Sequence, residues 1–326
     1  MNNLFIYTGP HPAHYELAKS LKCKTIKSKQ GVPFFGRLLN AIRINKKLSG
    51  KHFDLILTES VSRDLLAGAY YKHFFPRTKL VALVTDPKIL ELKTAQWIDQ
   101  YLTHWALEKA DLLLVGSEMM RELIPAPYRH KTRLFYPGIK DIKKHLNLSA
   151  SHGKNLVFAG LLNDYKGTDL LNKTILNIRN ETPDASLYVA GDGPNVKLFK
   201  NRVAKGVFYI GKTENSLFMR EVASFYVSRA RFEPSGCAVI EAMAQGLVPI
   251  VSEGVGYKDI VREVSPKLVV HSDSEIVEIV HSLSQNKKAW ENLSLKSKKV
   301  AKKYSYNYMV DNFKETLQFF FKNKDI

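Results

Sequence analysis

Long apolar runs are missing from this sequence: no stretch approaches the roughly 18 apolar residues that a membrane-spanning helix needs. Cysteine is scarce. The two present, Cys23 and Cys237, lie far apart without metal-ligand spacing, which excludes a disulfide framework or a cysteine-built zinc site and leaves two ordinary reduced thiols. The opening stretch MNNLFIYTGPHP has neither a charged segment nor a long apolar core, so it does not read as a signal peptide. The expectation is a cytoplasmic protein, able to sit peripherally on a membrane but not to cross it. Acid is missing from one long segment: between Glu16 and Asp54 there are ten Lys or Arg and no Asp or Glu.

What is present fits two domains. The chain has 326 residues, 45% of them hydrophobic, enough for two cores. Its 49 Lys+Arg against 31 Asp+Glu give a formal charge of +18. A nucleic acid, an anionic membrane surface, a phosphorylated small molecule or an inert lysine-rich surface would each account for that charge. Short apolar runs alternate with helical spacing: NLFIYTG, FDLILTE, KLVALVTD, ADLLLVGS and RLFYPG early, then NLVFAG, SLYVAG, VFYIG, SFYVS, LVPIVS and KLVV. Near-continuous apolar strands predict parallel sheets covered on both faces. The polar, lysine-rich stretch 138–154 reads as a linker. The expected domains are 1–145 and 146–305, both α/β and Rossmann-like, with ligands at the C-terminal ends of the strands. The tail 306–326 reads as a helix.

The chemistry concentrates in RFEPSGCAVIEAMAQGLVPIV, residues 231–251. Two carboxylates, Glu233 and Glu241, are separated by seven residues, and the second interrupts an apolar helical pattern. Ser235 or Gly236 is a natural helix start. The small residues Ser235, Gly236 and Cys237 let an anion approach the first backbone N–H groups. Glu241 stands six residues past Ser235, about 9 Å along a helix axis at about 1.5 Å per residue, the span from a bound phosphate to its ribose. A carboxylate accepts from both hydroxyls of a diol. A nucleotide diphosphate carrying a sugar suits this arrangement.

This stretch resembles the E-x7-E motif of retaining glycosyltransferases with the GT-B fold, most closely glycosyltransferase family four and its glycogen-synthase relatives. VFAGLLNDYKGTDLL, residues 157–171, is similar to the family's strand, glycine and lysine-glycine segment, and Lys166 matches its phosphate-binding lysine. Leu161 stands where the family usually has arginine. LYVAGDGP resembles a strand ending in a tight turn. VFYIGKTE resembles the next strand, whose loop would bring Lys212 and Thr213 near the base. In the first domain TGPHPAHYELAKSL resembles the family's glycine loop, with Gly9 near the donor phosphates; His11 and His14 are either site residues or simple turn residues. LVALVTDP lies where relatives carry a His-Asp pair. Here Thr85 precedes Asp86, which either contacts the acceptor or sugar, or caps a turn.

The resemblance implies a GT-B fold, two Rossmann-like domains facing across a cleft, with the C-terminal helix packing back on the first. It implies transfer of a sugar, with retention, from a nucleotide-diphosphate sugar to an acceptor, a lipid-linked or polysaccharide acceptor being favoured. Glu233, Lys166 and Asp86 would be catalytic. Glu241, Gly9, Ser235, Gly236, Cys237, Lys212 and Thr213 would bind the donor, and neither a metal nor another cofactor is called for. Two alternatives stay open: a sugar-nucleotide-binding protein weakened in catalysis, and a glycosyltransferase acting on modified nucleic acid. No nucleic-acid signature supports binding of nucleic acid on its own.

The acid-free segment gives the charge a second meaning. Phe34, Phe35, Leu38, Leu39 and Ile42 form one helical stripe, with Arg37, Arg43, Lys46 and Lys47 around it. Within residues 31–51 this reads either as a basic amphipathic helix on an anionic membrane surface or as a domain helix whose stripe is core.

Overall fold

The structure, a computed structural model, describes residues 2–9, 11–29, 35–61, 63–85, 89, 96–140, 147, 150–200, 204–213 and 216–322, the side chains of Phe35 and Lys322 excepted. The chain forms two compact units, 1–138 with 306–326, and 139–305.

In the first unit, strands β1 (Asn3–Tyr7), β2 (Lys24–Lys27), β3 (Leu55–Thr58), β4 (Lys79–Val84), β5 (Leu112–Val115) and β6 (Thr132–Leu134) make one parallel sheet in the order β2-β1-β3-β4-β5-β6. The central strands are buried on both faces, as near-continuous apolar runs require. On one face Phe5, Leu57, Leu83 and Leu114 form a core with Leu17 of the helix Pro12–Ser20 and with Met309 and Phe313 of the C-terminal helix Tyr306–Lys322. The rings of Phe135 and Phe313 meet edge to face with centroids 5.9 Å apart. Burying each of these large apolar side chains stabilises the unit by about 1.5–3 kcal/mol. The helices Phe35–Lys47, Arg63–Phe74 and Trp97–Lys109 pack in sequence on the other face. Crossovers run to opposite sides of β1, so the gap between β1 and β3 is the switch point where an open α/β sheet takes ligands.

The second unit repeats the plan. Strands β7 (Leu156–Ala159), β8 (Leu187–Ala190), β9 (Val207–Gly211), β10 (Phe225–Ser228), β11 (Val248–Ser252) and β12 (Val269–Val270) are parallel in the order β12-β11-β10-β7-β8-β9. The switch point falls between β7 and β10. The loop after β7 carries Lys166, and the loop after β10 carries Glu233.

Candidate active site

The second unit brings Lys166 and Glu233 together. The Lys166 ammonium donates to Glu233 Oε1, with the carboxylate almost wholly out of solvent. Both loops are tied down by backbone. Lys166 N–H donates to Asn163 Oδ1 at 2.9 Å, while Arg231 N–H and Phe232 N–H donate to the Tyr165 carbonyl at 2.8 and 3.0 Å. Gly167 follows at φ 63°, and a Cβ there would lie 1.9 Å from the Arg229 carbonyl oxygen, so only glycine lets the two loops close on each other. On its other side, Glu233 N–H donates to the Gly254 carbonyl at 2.8 Å and Gly256 N–H to the Glu233 carbonyl at 2.7 Å.

The next helix, Cys237–Ala244, is capped by Gly236 at φ 140°. It starts just past Gly236; Ser235 stands outside the helix, its carbonyl accepting from Tyr257 N–H at 3.1 Å. Glycine at the cap offers no side-chain acceptor to the first-turn amides, which leaves the N-terminal end suited to an anion. Glu241 rises from this helix about 7.5 Å beyond the cap, at about 1.5 Å per residue. Burial holds its carboxyl above the ordinary range, partly offset by a hydrogen bond with Ser216. Burial pushes the Cys237 thiol up to about 12; Glu241 adds to this, Tyr257 opposes it by a hydrogen bond, and Glu233 raises and Lys166 lowers it further. That thiol is therefore protonated at neutral pH and feels all three charged groups. Tyr226 of β10 is likewise raised by burial and by both glutamates. The two carboxylates and the ammonium thus share one electrostatic environment.

A pocket of about 460 Å³ opens in the same unit at the ends of β7, β8 and β9, lined by Gly160, Leu161, Asp192, Lys212 and Thr213 among others. Leu161 is half exposed at this pocket. The nearby arginines are engaged elsewhere: Arg231 makes a two-pronged ion pair with Asp169, and Arg229 pairs with Asp273.

Two groups at this site carry no obvious sequence signal. Gln245, fully buried, donates from Nε2 to the Ser216 carbonyl at 3.0 Å and to the Glu241 carbonyl at 3.1 Å, clamping the Ser216 segment to the glutamate helix. Its only trace in the sequence is its place four residues after Glu241. The second is Tyr226, hidden within an ordinary strand pattern.

In the first unit, Gly9 lies at the β1 end of the switch point. Its N–H and that of His11 donate to the buried carboxylate of Glu59, just past β3. Glu59 escaped the sequence reading because its meeting with the Gly9 loop depends on strand order. His14 is buried, 3.2 Å from Thr85 Oγ1 through Nε2. His11 caps its helix, with Nδ1 accepting from Ala13 N–H at 3.3 Å; desolvation first, then His14, push it down to about 4. Asp86 lies outside the described residues.

Residues 140–303, about half of the chain, match the family described as Glycosyl transferases group 1. The chain belongs to this family. The uncharacterized glycosyltransferase YqgM of Bacillus subtilis is 30% identical over 165 residues, 47% of this chain and 45% of that protein. The match thus spans about half the length of that relative. Among solved structures, Anabaena HepE in complex with UDP-glucose superposes with a TM-score of 0.74 at 16% identity, covering 98% of this chain and 99% of that one. Sucrose-phosphate synthase from Thermosynechococcus elongatus does so with a TM-score of 0.74 at 16% identity, over 99% and 100%. At such identities the likeness establishes the fold: α/β, with the two parallel-sheet units of the GT-B architecture.

Proposed function

We propose that this group 1 family member is a retaining glycosyltransferase that takes its sugar from a nucleotide diphosphate donor bound in the second unit. The observation that carries the reading is the Lys166–Glu233 pair at the switch point, beside the helix start whose second turn presents Glu241. In this reading the diphosphate takes the helix N-terminus and Lys166, and the base enters the pocket near Lys212 and Thr213. The ribose diol is held by the Glu241 carboxylate. Lys166 exchanges Glu233 for phosphate oxygens, which frees Glu233 to accept from hydroxyls of the transferred sugar.

The bond from the anomeric carbon to the β-phosphate oxygen breaks as the acceptor oxygen bonds to that carbon on the same face. The acceptor proton goes to the departing phosphate oxygen. The residues act by positioning and by stabilising charge that develops on the leaving group. Because Lys166 and the helix amides supply positive charge there, transfer proceeds without a divalent cation. The acceptor favoured is a lipid-linked or polysaccharide hydroxyl.

HepE in its complex with UDP-glucose makes that compound the first donor to try. Release of labelled sugar from a panel of nucleotide sugars, with and without added lipid-linked acceptors and with and without chelator, tests the proposal. Transfer that survives chelation supports it; transfer restored only by added Mg²⁺ or Mn²⁺ removes the metal-free part. The half-exposed Leu161 favours a second reading, a protein that binds the donor without transferring from it; donor binding with neither hydrolysis nor transfer would establish that instead.

A further inference from the structure

The stripe on the helix Phe35–Lys47 divides in the fold. Ala41, Ile44 and the following Leu48 are buried, and Leu38 is half-buried. Leu39 and Ile42 point outward, Leu39 with 63% of its surface exposed, among the exposed Arg43, Lys46 and Lys47. Phe34 lies outside the described residues. The helix Trp97–Lys109 lies on the same face of the first unit's sheet, and an Arg37–Asp99 ion pair of 3.4 Å ties the first turns of the two helices. Two residues from each partner of that bridge stand Leu39 and Trp97. Trp97 is 75% exposed, and one turn further Tyr101 is 65% exposed. Both helices begin at the C-terminal edge of the sheet, the edge that carries the Gly9 loop.

Leu39 and Ile42 on one helix and Trp97 and Tyr101 on another leave four large apolar side chains facing water from the helices on this side of the sheet, a costly arrangement, since burying them elsewhere would stabilise the fold. We propose that this face docks on an anionic lipid surface. Trp97 and Tyr101 present a ring with a polar handle, the chemistry that settles at the depth of lipid headgroups. Leu39 and Ile42 supply the shallow apolar contact. The flanking cations supply attraction: the helix Phe35–Lys47 has no acidic residue, and the nearest carboxylate across the bridge, Asp99, is neutralised by Arg37. Glu108, exposed and seven residues after Tyr101, stands on the same side of that helix two turns further from the bridge, and is the acid that opposes this attraction. A protein groove would not need this excess of one charge, whereas a negatively charged bilayer does. The proposal rests on this surface alone and is independent of the transfer reading.

The test uses the full chain with vesicles of phosphatidylcholine, with and without phosphatidylglycerol. The expected result is cosedimentation with the anionic vesicles only, weakened by salt. Arg43→Gln/Lys46→Gln/Lys47→Gln should lower partitioning by about a hundredfold, at about 1 kcal/mol per cation. Leu39→Ser/Trp97→Ser/Tyr101→Ser should lower it similarly without lowering the thermal midpoint, because the side chains are exposed. Of the three tryptophans, Trp97 is the highly exposed one, so binding should shift emission to the blue and brominated lipid should quench it, and Trp97→Phe should remove the shift while vesicles still bind. Equal binding to neutral and anionic vesicles, or equal binding by wild type and both triple variants, would overturn the proposal. So would concentration-dependent self-association that shields Trp97 without lipid, which would assign the face to a second copy.

Discussion

The ammonium of Lys166 and the carboxylate of Glu233, 67 residues apart in sequence, form one hydrogen-bonded pair. Each group is therefore neutralised by the other in the fold itself, and any diphosphate must compete for Lys166. Lys166→Ala leaves a poorly solvated carboxylate without its cation, which costs about 1–3 kcal/mol. Its turnover should fall about a hundredfold or more, because charge on the leaving group loses its partner. Glu233→Gln should cost less stability and still lower turnover. A double-mutant cycle on the thermal midpoint measures the coupling, and additive effects would mean that the pair does not form.

Glu241 gives a pH signature. Its folded-state pKa is raised by burial, so the folded chain keeps a proton that the unfolded chain has already released. Stability from this group is full below the ordinary carboxylate value of about 4.3 and is lost as pH rises through the folded value. Donor affinity runs the other way, since only the ionised carboxylate accepts from both ribose hydroxyls. Glu241→Gln should remove both slopes, giving a fold no less stable at neutral pH and a weak, pH-independent donor affinity. Thermal midpoints and donor Kd across the acidic range read both; an unchanged slope in the variant would clear Glu241 of the role.

Gly167→Ala should break the site without touching a charged group. The new Cβ would meet the Arg229 carbonyl oxygen at 1.9 Å in a left-handed conformation. The expected cost is about 3 kcal/mol or more. Gly50→Ala is the control: φ is 71° but nothing lies within 4 Å of the added carbon, so about 1 kcal/mol is expected. Equal thermal midpoints for the two variants would show that loop contact at Gly167 does not matter.

Leu161→Arg should tighten diphosphate binding. It adds a guanidinium at the mouth of the pocket, where the resemblance expects one, and a charge-assisted hydrogen bond at a half-exposed place is worth about 1.4 kcal/mol, or tenfold in Kd. The gain should shrink with salt. An unchanged Kd would place the diphosphate away from the loop after β7.

Much of this fold was legible because parallel strands buried on both faces must be apolar end to end. Five of the six strands of the second unit announce themselves that way; β9, at the sheet edge, is apolar in sequence although Phe208 and Ile210 face solvent. In the first unit β2, Lys24–Lys27, does not: it is an edge strand, short and largely exposed, so its residues follow solvent rather than core. The Lys166, Glu233 and Glu241 constellation was legible from motif context and helix spacing. Glu59 and Gln245 were not, since each acts by reaching a backbone group on another element, which no periodicity encodes. The stripe at Leu39 and Ile42 looked the same for core or membrane, because spacing reports a face and not what covers it.

Calorimetric binding of UDP-glucose and a panel of other nucleotide diphosphate sugars to wild type and to Glu241→Ala tests the central claim most directly. Loss of hydrogen bonds to a charged acceptor removes about 1.5–3 kcal/mol. The account predicts a donor that binds wild type and binds Glu241→Ala about ten- to a hundredfold more weakly, with Leu39→Ser, an exposed change in the first unit, unchanged. A donor bound equally by wild type and Glu241→Ala would contradict it.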